Sequence, residues 1–297
     1  MITKNDINEV VAEALDVLKR GGLILYPTDT VWGIGCDATN EAAVQRVFAL
    51  KRRAEAKSLV LLACDLDMVA RYIRKIPSIA VDLVSVNDAP MTIVYPGAVV
   101  QRVAGEGTAP EGRATLSSPA GFGLAPSVVA ADGSVGIRIP RAGSTGVDSK
   151  GDDWDERPVS AGAVFCNRLI YRLRRPLVST SANISGEPAP ASFPEISPEI
   201  RAGVDYIVPA TVSGLALPGL SRSGSPFPAS RSGLALPGLS RSGAPSPASR
   251  SGSGQALPNS GRTAPSSATV RFDDSASGRP SQILKLGLDG EVEIIRP

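Results

Sequence analysis

Side chains that could bind a small charged ligand occur in three separate stretches of this sequence. Lysine and arginine bind phosphate and carboxylate groups, and neighbouring hydroxyl and amide groups orient such ligands. Each stretch adjoins an apolar run, as expected for residues that lie at the end of a strand or helix. The stretches are Pro27-Thr28-Asp29-Thr30 after the apolar run 23–26, the basic set Lys51, Arg53 and Lys57, and Ser179-Thr180-Ser181-Ala182-Asn183.

Ligands of open α/β sheets bind beyond the ends of the strands, so the three stretches are expected to face one cleft that suits an anion such as a nucleotide. The sequence has no histidine, which excludes Ser-His-Asp and Cys-His catalysis and the zinc hydrolase motifs. It also lacks a Gly-x-x-x-x-Gly-Lys loop and a Gly-x-Gly-x-x-Gly turn. Phosphate groups would therefore be held mainly by side chains.

Taken one at a time, these residues also fit ordinary structural roles. Lys51 to Arg53 could be solvated charges at the end of a helix. Ser181 and Asn183 could be turn formers, and the pair Gly33 and Gly35 could simply permit unusual dihedral angles in a turn. These alternatives stay open at the level of single residues.

The periodicity of the chain predicts alternating helices and strands, and hence an α/β fold with a mixed sheet. A helix begins after Asn5 or Asp6 and ends at Gly21-Gly22, and a second begins at Asn40 or Glu41 and ends near Lys51. The run 58–63 is apolar throughout, which is typical of a strand covered on both faces. Further helices are predicted at 65–75, 77–85, 162–174 and 195–202, and further strands at 23–26, 91–96, 134–140, 176–181 and 205–208.

The chain is expected to form one catalytic domain that is interrupted by insertions. Residues 1–208 form its main part, with surface insertions at about 101–122 and 143–160. Residues 209–279 form a low-complexity, disordered insert in which nineteen residues, 213–231, recur as 232–250 with two changes. Residues 280–297 then complete the domain, and their alternation at Glu291–Arg296 predicts a half-buried strand.

The insert carries a one-sided charge, because its part from Val212 to Arg262 holds five arginines and no acid. One interpretation is an arm that attracts RNA, and the other, which the composition favours, is a solvated spacer. We expect that deleting residues 212–262 leaves activity intact.

The cysteines are expected to be reduced thiols of a cytoplasmic protein, because Cys36, Cys64 and Cys166 form no paired spacing and no signal peptide is recognisable. No apolar run reaches the length of about 18 residues that a membrane span requires. A soluble protein is therefore expected.

Four motifs occur in a fixed order, and together they resemble the YrdC-like family, the threonylcarbamoyl-AMP synthases. A tail at Pro280–Arg296 continues the resemblance, which covers residues 1 to about 208 without the two insertions. The motifs are Tyr26-Pro27-Thr28-x-Thr30-Val31-x-Gly33, Lys51-x-Arg53-x-x-x-Lys57-Ser58-Leu59, Gly136-Ile137-Arg138-Ile139-Pro140 and Ser179-Thr180-Ser181-Ala182-Asn183-x-Ser185-Gly186.

The resemblance implies a twisted mixed sheet with helices and a basic concave cleft. It implies a nucleotidyltransferase that forms L-threonylcarbamoyladenylate and pyrophosphate from L-threonine, bicarbonate and ATP. The product would feed threonylcarbamoyladenosine modification of tRNA, which separate transfer proteins complete. Mg²⁺ would be held through the ATP phosphates and by no protein ligand, and tRNA or double-stranded RNA is a possible further partner.

The resemblance also implies roles for individual residues. Lys51 and Arg53 would be catalytic by screening the phosphates. ATP would be bound by Arg53, Lys57, Ser134, Asn183 and Arg296, and threonine by Thr28, Thr30, Arg138, Ser181 and Ser281. Ser266 and Ser267 are alternative candidates for the role of Ser281, because the insert separates the tail from the main part.

The implied chemistry needs no histidine. An amine and bicarbonate form a carbamate, whose oxygen attacks the α-phosphate while pyrophosphate leaves, so that proximity and charge stabilisation carry catalysis. Two other functions remain possible: an RNA-binding module of the same fold without this catalysis, whose affinity would fall steeply with salt, and a relative that adenylates a carbamoyl group from another donor.

Overall fold

The computed structural model describes residues 6–53, 59–86, 89–101, 122–140, 160–213, 270–273 and 277–297. All of them belong to one compact unit, Met1–Arg222 together with Ser267–Pro297. A second unit, Ser223–Ser266, lies wholly outside the described residues. Most of the three predicted insertions and the residues Lys57, Ser266 and Ser267 also lie outside them.

The described elements alternate between helices and strands, which confirms the predicted α/β class. The helices are α1 (Ile7–Lys19), α2 (Glu41–Leu50), α3 (Leu66–Tyr72), α4 (Ser78–Val86), α5 (Ala161–Leu173) and α6 (Pro198–Ala202), with 3₁₀ turns at Pro126–Val128 and Phe193–Glu195. The strands are β1 (Ile24–Tyr26), β2 (Gly33–Gly35), β3 (Val60–Leu62), β4 (Met91–Tyr95), β5 (Val135–Arg138), β6 (Leu177–Ser181), β7 (Tyr206–Ile207), β8 (Thr211–Val212), β9 (Val270–Arg271), β10 (Gln282–Leu286) and β11 (Val292–Arg296).

Nine strands form one mixed sheet in the order β11-β10-β4-β5-β3-β6-β2-β1-β7. The pairs β1/β7, β3/β5 and β4/β10 are parallel, and the other neighbours are antiparallel. β3 lies at the centre of this order, and Leu61 and Leu62 are completely buried. The continuous apolar run therefore indicated its position correctly.

The helix starts follow the predicted capping chemistry. The carboxylate of Asp6 accepts a hydrogen bond of 2.8 Å from the backbone N–H of Asn8, and α1 begins at Ile7, directly after Asp6. Asn40 caps α2 in the same way by accepting from the N–H of Ala43 at 3.1 Å. The prediction of the two helix starts is therefore confirmed.

The segment Gly33-Ile34-Gly35 is a strand, and its prediction as a turn was wrong. β2 pairs antiparallel with β1 on one side and with β6 on the other. Neither glycine has a positive φ, so unusual dihedral angles do not explain them. A Cβ on Gly35 would lie 2.6 Å from Cε1 of Tyr26 and 2.7 Å from the carbonyl oxygen of Val178, so glycine is required for close packing.

The strand register places several polar side chains on one face of the sheet. Thr92 lies opposite Arg138, and Arg138 lies opposite Leu62 on the next strand. Leu62 in turn pairs with Leu177 of β6. Because directly paired residues and residues two apart along a strand share a face, Ser179 and Ser181 project from the same face as Arg138 and Thr92.

The tail after the insert extends the sheet. β10 pairs parallel with β4, from Gln282 opposite Met91 to Lys285 opposite Val94, and β11 folds back against β10. All five residues of β11 are exposed, so the prediction of a half-buried strand was wrong. β11 stands at the edge of the strand order, where an alternating pattern does not require a buried face.

A second, small sheet joins the two sides of the insert. β8 and β9 are antiparallel, with Thr211 opposite Arg271 and Val212 opposite Val270. The described chain segments that end at residue 213 and resume at residue 270 therefore lie next to each other. Among the helices in the described ranges, none has the length and apolar character to cross a membrane.

Candidate functional site

The loop between β1 and β2 is held together by the hydroxyl of Thr28. Its Oγ1 lies 2.9 Å from Oγ1 of Thr30 and donates to the carbonyl of Val31 at 2.7 Å. The same oxygen accepts from the backbone N–H of Thr30 at 3.0 Å. Both threonines are buried, so the loop has one fixed conformation whose hydroxyl groups point inward.

α5 packs directly against the backbone of this loop. A Cβ on Gly162 would lie 2.2 Å from the carbonyl oxygen of Thr28, so the helix backbone touches the loop directly. Cys166, one helical turn further, donates from Sγ to the carbonyl of Pro27 at 3.4 Å. Burial raises the pKa of the Cys166 thiol, and the carboxylate of Asp29 adds to the increase. This thiol is therefore a neutral packing group.

Asp29 and Arg138 form a buried ion pair between the loop and the end of β5. Nη1 of Arg138 donates to Oδ1 of Asp29, and the residues are 4% and 9% exposed. A buried charge is stable only when it is paired and hydrogen-bonded. Each residue therefore neutralises the other, and the pair fixes the loop over the polar face of the sheet.

Residues at the C-terminal end of the predicted insert are hydrogen-bonded to the same loop. The backbone N–H groups of Ser277 and Gly278 donate to the carbonyls of Asp29 and Thr30, both at 2.9 Å. Nε1 of Trp32 donates to Oδ1 of Asp273 at 2.6 Å. The chain between β9 and β10 is thus bonded directly to the loop that contains the first polar stretch.

Lys51 is a buried lysine and not a solvated charge. It follows α2, is 1% exposed, and its Nζ donates to the main-chain carbonyls of Ser181 and of Asn183, the latter at 2.6 Å. Burial, and then the charge of Arg53, lower the pKa of Lys51 to about 8. The second and third polar stretches therefore meet at this side chain.

Arg53 lies close to the same point. It follows Lys51 by two residues, its charge contributes to the lowered pKa of Lys51, and burial lowers the pKa of Arg53 as well. The backbone of Arg53 is fixed by a hydrogen bond of 3.0 Å from its N–H to the carbonyl of Phe48. Two partly desolvated cations at one place favour the binding of an anion.

Asn183 lines a pocket of about 230 Å³ beyond the end of β6. Its Nδ2 donates to the carbonyls of Ile184 at 3.0 Å and Glu187 at 2.6 Å, which fixes the orientation of the amide. Its Oδ1 is buried and has no hydrogen-bond partner within the described part of the chain. The other residues that line the pocket are Ala182, Glu187, Pro188, Ala189, Pro190, Glu195 and Ser197.

Ser281 lies at the start of β10 beside Thr92. Their hydroxyl oxygens are 2.8 Å apart, and both residues are buried. The guanidinium of Arg296 donates to the carbonyl of Ser281 from Nε at 2.9 Å and from Nη2 at 2.5 Å. Since Thr92 is paired with Arg138, this group adjoins the Asp29–Arg138 pair.

Ser134 lies at the opposite end of β5 from Arg138, about 13 Å along the strand at the usual rise per residue. Its hydroxyl donates to Oδ1 of Asp132 at 2.6 Å, and Lys285 donates to the other oxygen of that carboxylate at 3.0 Å. The hydrogen bond from Ser134, followed by that from Lys285, lowers the pKa of Asp132 to about 2.

The structure brings most of the predicted residues into one continuous group. Ala182 donates from its N–H to the carbonyl of Trp32 at 2.9 Å, which connects the end of β6 with the loop after β1. The connected residues are Thr28, Thr30, Lys51, Arg53, Arg138, Ser181, Asn183, Ser281 and Arg296. Ser134 stands apart from them, and Lys57 lies outside the described residues.

Asp29 and Thr92 belong to this group and were not predicted. Asp29 stands between two predicted residues in the sequence, but its partner Arg138 is 109 positions away, so nothing local indicates the pair. Thr92 lies within an apolar strand, where the sequence alone indicates an ordinary β-branched core residue. Only the strand register reveals that its side chain shares a face with Arg138.

No group of three or more acidic or thiol side chains that could hold a metal ion occurs in the described ranges. The charged groups of the site are mostly cations. Such a set of cationic side chains fits an anionic ligand such as a phosphate.

Comparisons with known proteins identify the family of the chain. A family model described as Telomere recombination, which stands for the Sua5, YciO and YrdC proteins, matches residues 16–145 and 162–217. A protein named threonylcarbamoyl-AMP synthase from Stenotrophomonas maltophilia is 31% identical over 208 residues, which are 69% of this chain and 88% of that protein. One of the same name from Halorhodospira halophila is 29% identical over 215 residues, 72% of this chain and 90% of that protein.

The fold also resembles a crystal structure of P. abyssi Sua5 complexed with L-threonine, with a TM-score of 0.50 and 22% sequence identity. The match covers 68% of this chain and 46% of that chain, so this chain spans slightly less than half of that structure. At this identity the likeness supports the fold alone.

Proposed function

The chain belongs to the Sua5/YciO/YrdC family, and from this premise we propose that it is a threonylcarbamoyl-AMP synthase. The reaction joins L-threonine, bicarbonate and ATP to give L-threonylcarbamoyladenylate and pyrophosphate. The observation that carries the proposal is that the family match includes every predicted site residue except Ser281 and Arg296. The names of the relatives do not favour the alternative of an RNA-binding module without catalysis.

Threonine is proposed to bind between the loop after β1 and the polar face of the sheet. Arg138 would bind the α-carboxylate, and the hydroxyl groups of Thr28, Thr30, Ser181 and Ser281 would contact the remaining polar atoms. In favour of this position, the two loop threonines are already fixed by mutual hydrogen bonds and Arg138 is preset by Asp29. Preset groups lose little conformational entropy when the ligand binds.

ATP is proposed to bind where α2 and β6 end. Arg53 and Lys57 would contact the phosphates, and the buried Oδ1 of Asn183 would accept a hydrogen bond from the nucleotide. Arg296 and Ser134 would be further nucleotide contacts. Lys51 uses two of its three N–H donors on the carbonyls of Ser181 and Asn183, so the third is available to a phosphate oxygen while the lysine keeps the β6 loop in place.

In the chemical step, the threonine ammonium group first loses a proton to solvent. The resulting amine attacks the carbon of bicarbonate, and water leaves as the carbamate forms. A carbamate oxygen then attacks the α-phosphorus, and the bond to pyrophosphate breaks. The desolvated cations Lys51 and Arg53 would stabilise the negative charge that accumulates on the leaving phosphates. Mg²⁺, bound through the phosphates, would supply further charge screening there.

The cellular role is proposed on the same basis. The product would pass to separate proteins that complete threonylcarbamoyladenosine modification of tRNA, and tRNA itself is a further candidate partner. A cytoplasmic location agrees with the free state of Cys36, Cys64 and Cys166.

Mass spectrometry of the reaction product tests the proposal. Purified protein with ATP, Mg²⁺, L-threonine and ¹³C-bicarbonate should form a threonylcarbamoyladenylate that carries the label. Arg53→Met should reduce product formation at least about tenfold, since each 1.4 kcal/mol of lost transition-state stabilisation is a factor of ten. Arg20→Met, at an exposed position directly after α1, is the matched control, and an unlabelled or absent product would refute the function.

A further inference from the structure

We propose that Asp29 is a binding residue for the substrate amine and that the Asp29–Arg138 pair together recognises the zwitterionic form of an α-amino acid. The inference rests on the proposed function and assigns a role to a residue that the motif comparison left without one. Arg138 would hold the α-carboxylate, and Asp29 would hold the α-ammonium group.

The geometry of the pair supplies two opposite charges side by side. Oδ1 of Asp29 accepts from Nη1 of Arg138, and this is the one side-chain bond of Asp29 within the described part of the chain. Its second carboxylate oxygen and the other nitrogens of the Arg138 guanidinium carry further hydrogen-bonding capacity. An α-amino acid presents its ammonium and carboxylate groups on one carbon atom, and so matches two adjacent charges of opposite sign.

Charge balance favours such a ligand over a simple anion. Asp29 and Arg138 are 9% and 4% exposed and neutralise each other. A carboxylic acid without an amine would place a second negative charge beside Asp29, where the low exposure makes repulsion strong. A zwitterion adds one charge of each sign, so both buried residues gain a partner and the site remains neutral.

The position of Asp29 is fixed before any ligand arrives. Its carbonyl accepts from the N–H of Ser277, and the neighbouring threonines share a hydrogen bond between their hydroxyl groups. The carbonyl of Pro27 accepts from Cys166. A carboxylate on so firmly held a loop can impose a direction on the ammonium group and place the nitrogen beside the hydroxyls of Thr28 and Thr30.

The role of Asp29 also implies that its interaction with the substrate changes sign when the carbamate forms. When the ammonium group and bicarbonate combine to a carbamate, one water molecule and one proton leave and the nitrogen loses its positive charge. Asp29 then repels the new carboxylate where it attracted the ammonium group before. Asp29 therefore disfavours a position of the carbamate next to itself, whereas cations such as Lys51 and Arg53 attract it.

Calorimetric titration with two ligands tests the role of Asp29. The ligands are L-threonine and its analogue in which a hydroxyl replaces the α-amino group, and the proteins are the wild type, Asp29→Asn and the control Asp67→Asn at an exposed position of α3. The wild type and the control should prefer threonine by about 100-fold, as sites with a buried charged partner for one ligand group do. Asp29→Asn should lose most of this preference, chiefly by weaker binding of threonine.

Two results would overturn the inference. If Asp29→Asn weakens both ligands by the same factor, Asp29 only positions Arg138. If the wild type itself does not prefer threonine over the hydroxyl analogue, the pair does not recognise the amine, and this comparison holds even where Asp29→Asn fails to fold. A wild type that binds neither ligand contradicts the proposed function and this inference with it, whereas binding of both with equal strength contradicts the inference alone.

Discussion

The ammonium group of Lys51, at the end of α2, donates a hydrogen bond of 2.6 Å to the main-chain carbonyl of Asn183, in the loop after β6. A second hydrogen bond from the same group reaches the carbonyl of Ser181. In return, the carbonyl of Lys51 accepts from the N–H of Ser185 at 2.9 Å. These contacts join two stretches that are about 130 residues apart in the sequence, and they make the cation part of the framework of the site.

Replacement of this lysine should therefore affect stability as well as activity. Lys51→Met keeps most of the side-chain volume but removes the donor to the partly buried carbonyl of Asn183 and one of two donors to that of Ser181, which costs about 1–3 kcal/mol of the free energy of unfolding. Part of this cost is offset because the buried charge disappears as well. Urea denaturation measures the change, and Lys19→Met, at an exposed position of α1, should change it by less than about 0.5 kcal/mol. An unchanged unfolding midpoint in Lys51→Met would mean that the contacts to the β6 loop contribute nothing.

The binding of ATP should depend on pH through the same residue. Because burial lowers the pKa of Lys51 to about 8, its positive charge is present below that pH and is lost as the pH rises through it. ATP affinity without threonine should thus fall above about pH 8, by up to tenfold per pH unit. Calorimetry between about pH 7 and pH 9.5 measures the effect. Lys51→Met should bind more weakly and show a flat profile, and an equally steep fall in that variant would assign the titration to another group.

The two strand glycines Gly35 and Gly136 should respond oppositely to substitution by alanine. In Gly35→Ala the new Cβ meets the Tyr26 ring at 2.6 Å and the Val178 carbonyl at 2.7 Å, so the β1–β2–β6 packing must open, at a cost of about 1–3 kcal/mol. In Gly136→Ala the nearest atom is 3.4 Å away, an ordinary contact, and the loss of backbone entropy in the unfolded chain favours the variant slightly. Thermal or urea unfolding distinguishes them. Equal destabilisation would contradict the role given to Gly35.

Removal of most of the insert should leave the enzyme active. β8 and β9 are directly paired, so the chain ends on either side of residues 214–269 lie at one place. Deletion of residues 217–266 leaves seven residues, 213–216 and 267–269, between the two strands, enough for a hairpin loop. Deletion of residues 212–262, which the sequence alone suggests to be harmless, would remove Val212 of β8, which is buried, and should therefore destabilise the protein. Product formation per molecule is the measurement, and its loss in a folded 217–266 deletion variant would show that the insert takes part in the reaction.

The fold class could be predicted from the sequence because its signals are local. The caps Asp6 and Asn40 precede amphipathic helices, and the apolar run at β3 marks a strand that is covered on both faces. β2 could not be found in this way, since Gly33 and Gly35 are typical of turns. These glycines are needed because the strand packs closely against the ring of Tyr26 and the backbone of β6. The residues next to them in the sequence do not indicate these contacts.

The site could be predicted only as a set of separate stretches. Composition and order indicated cations, hydroxyls and an amide, and the motif resemblance connected them. The burial of Lys51 and its bonds to two carbonyls depend on how α2 meets β6, which no spacing encodes. The same holds for Asp29, whose burial as a charged residue depends on its ion pair with Arg138, on a strand that is distant in the sequence.

Release of pyrophosphate from ATP by the purified protein tests the central claim most directly. The assay compares complete mixtures with mixtures that lack L-threonine or bicarbonate. The proposed synthase should release pyrophosphate at a substantial rate only when both are present, because the carbamate is the nucleophile that attacks the α-phosphate. Release that is unchanged without threonine, or no release in the complete mixture, would contradict the account.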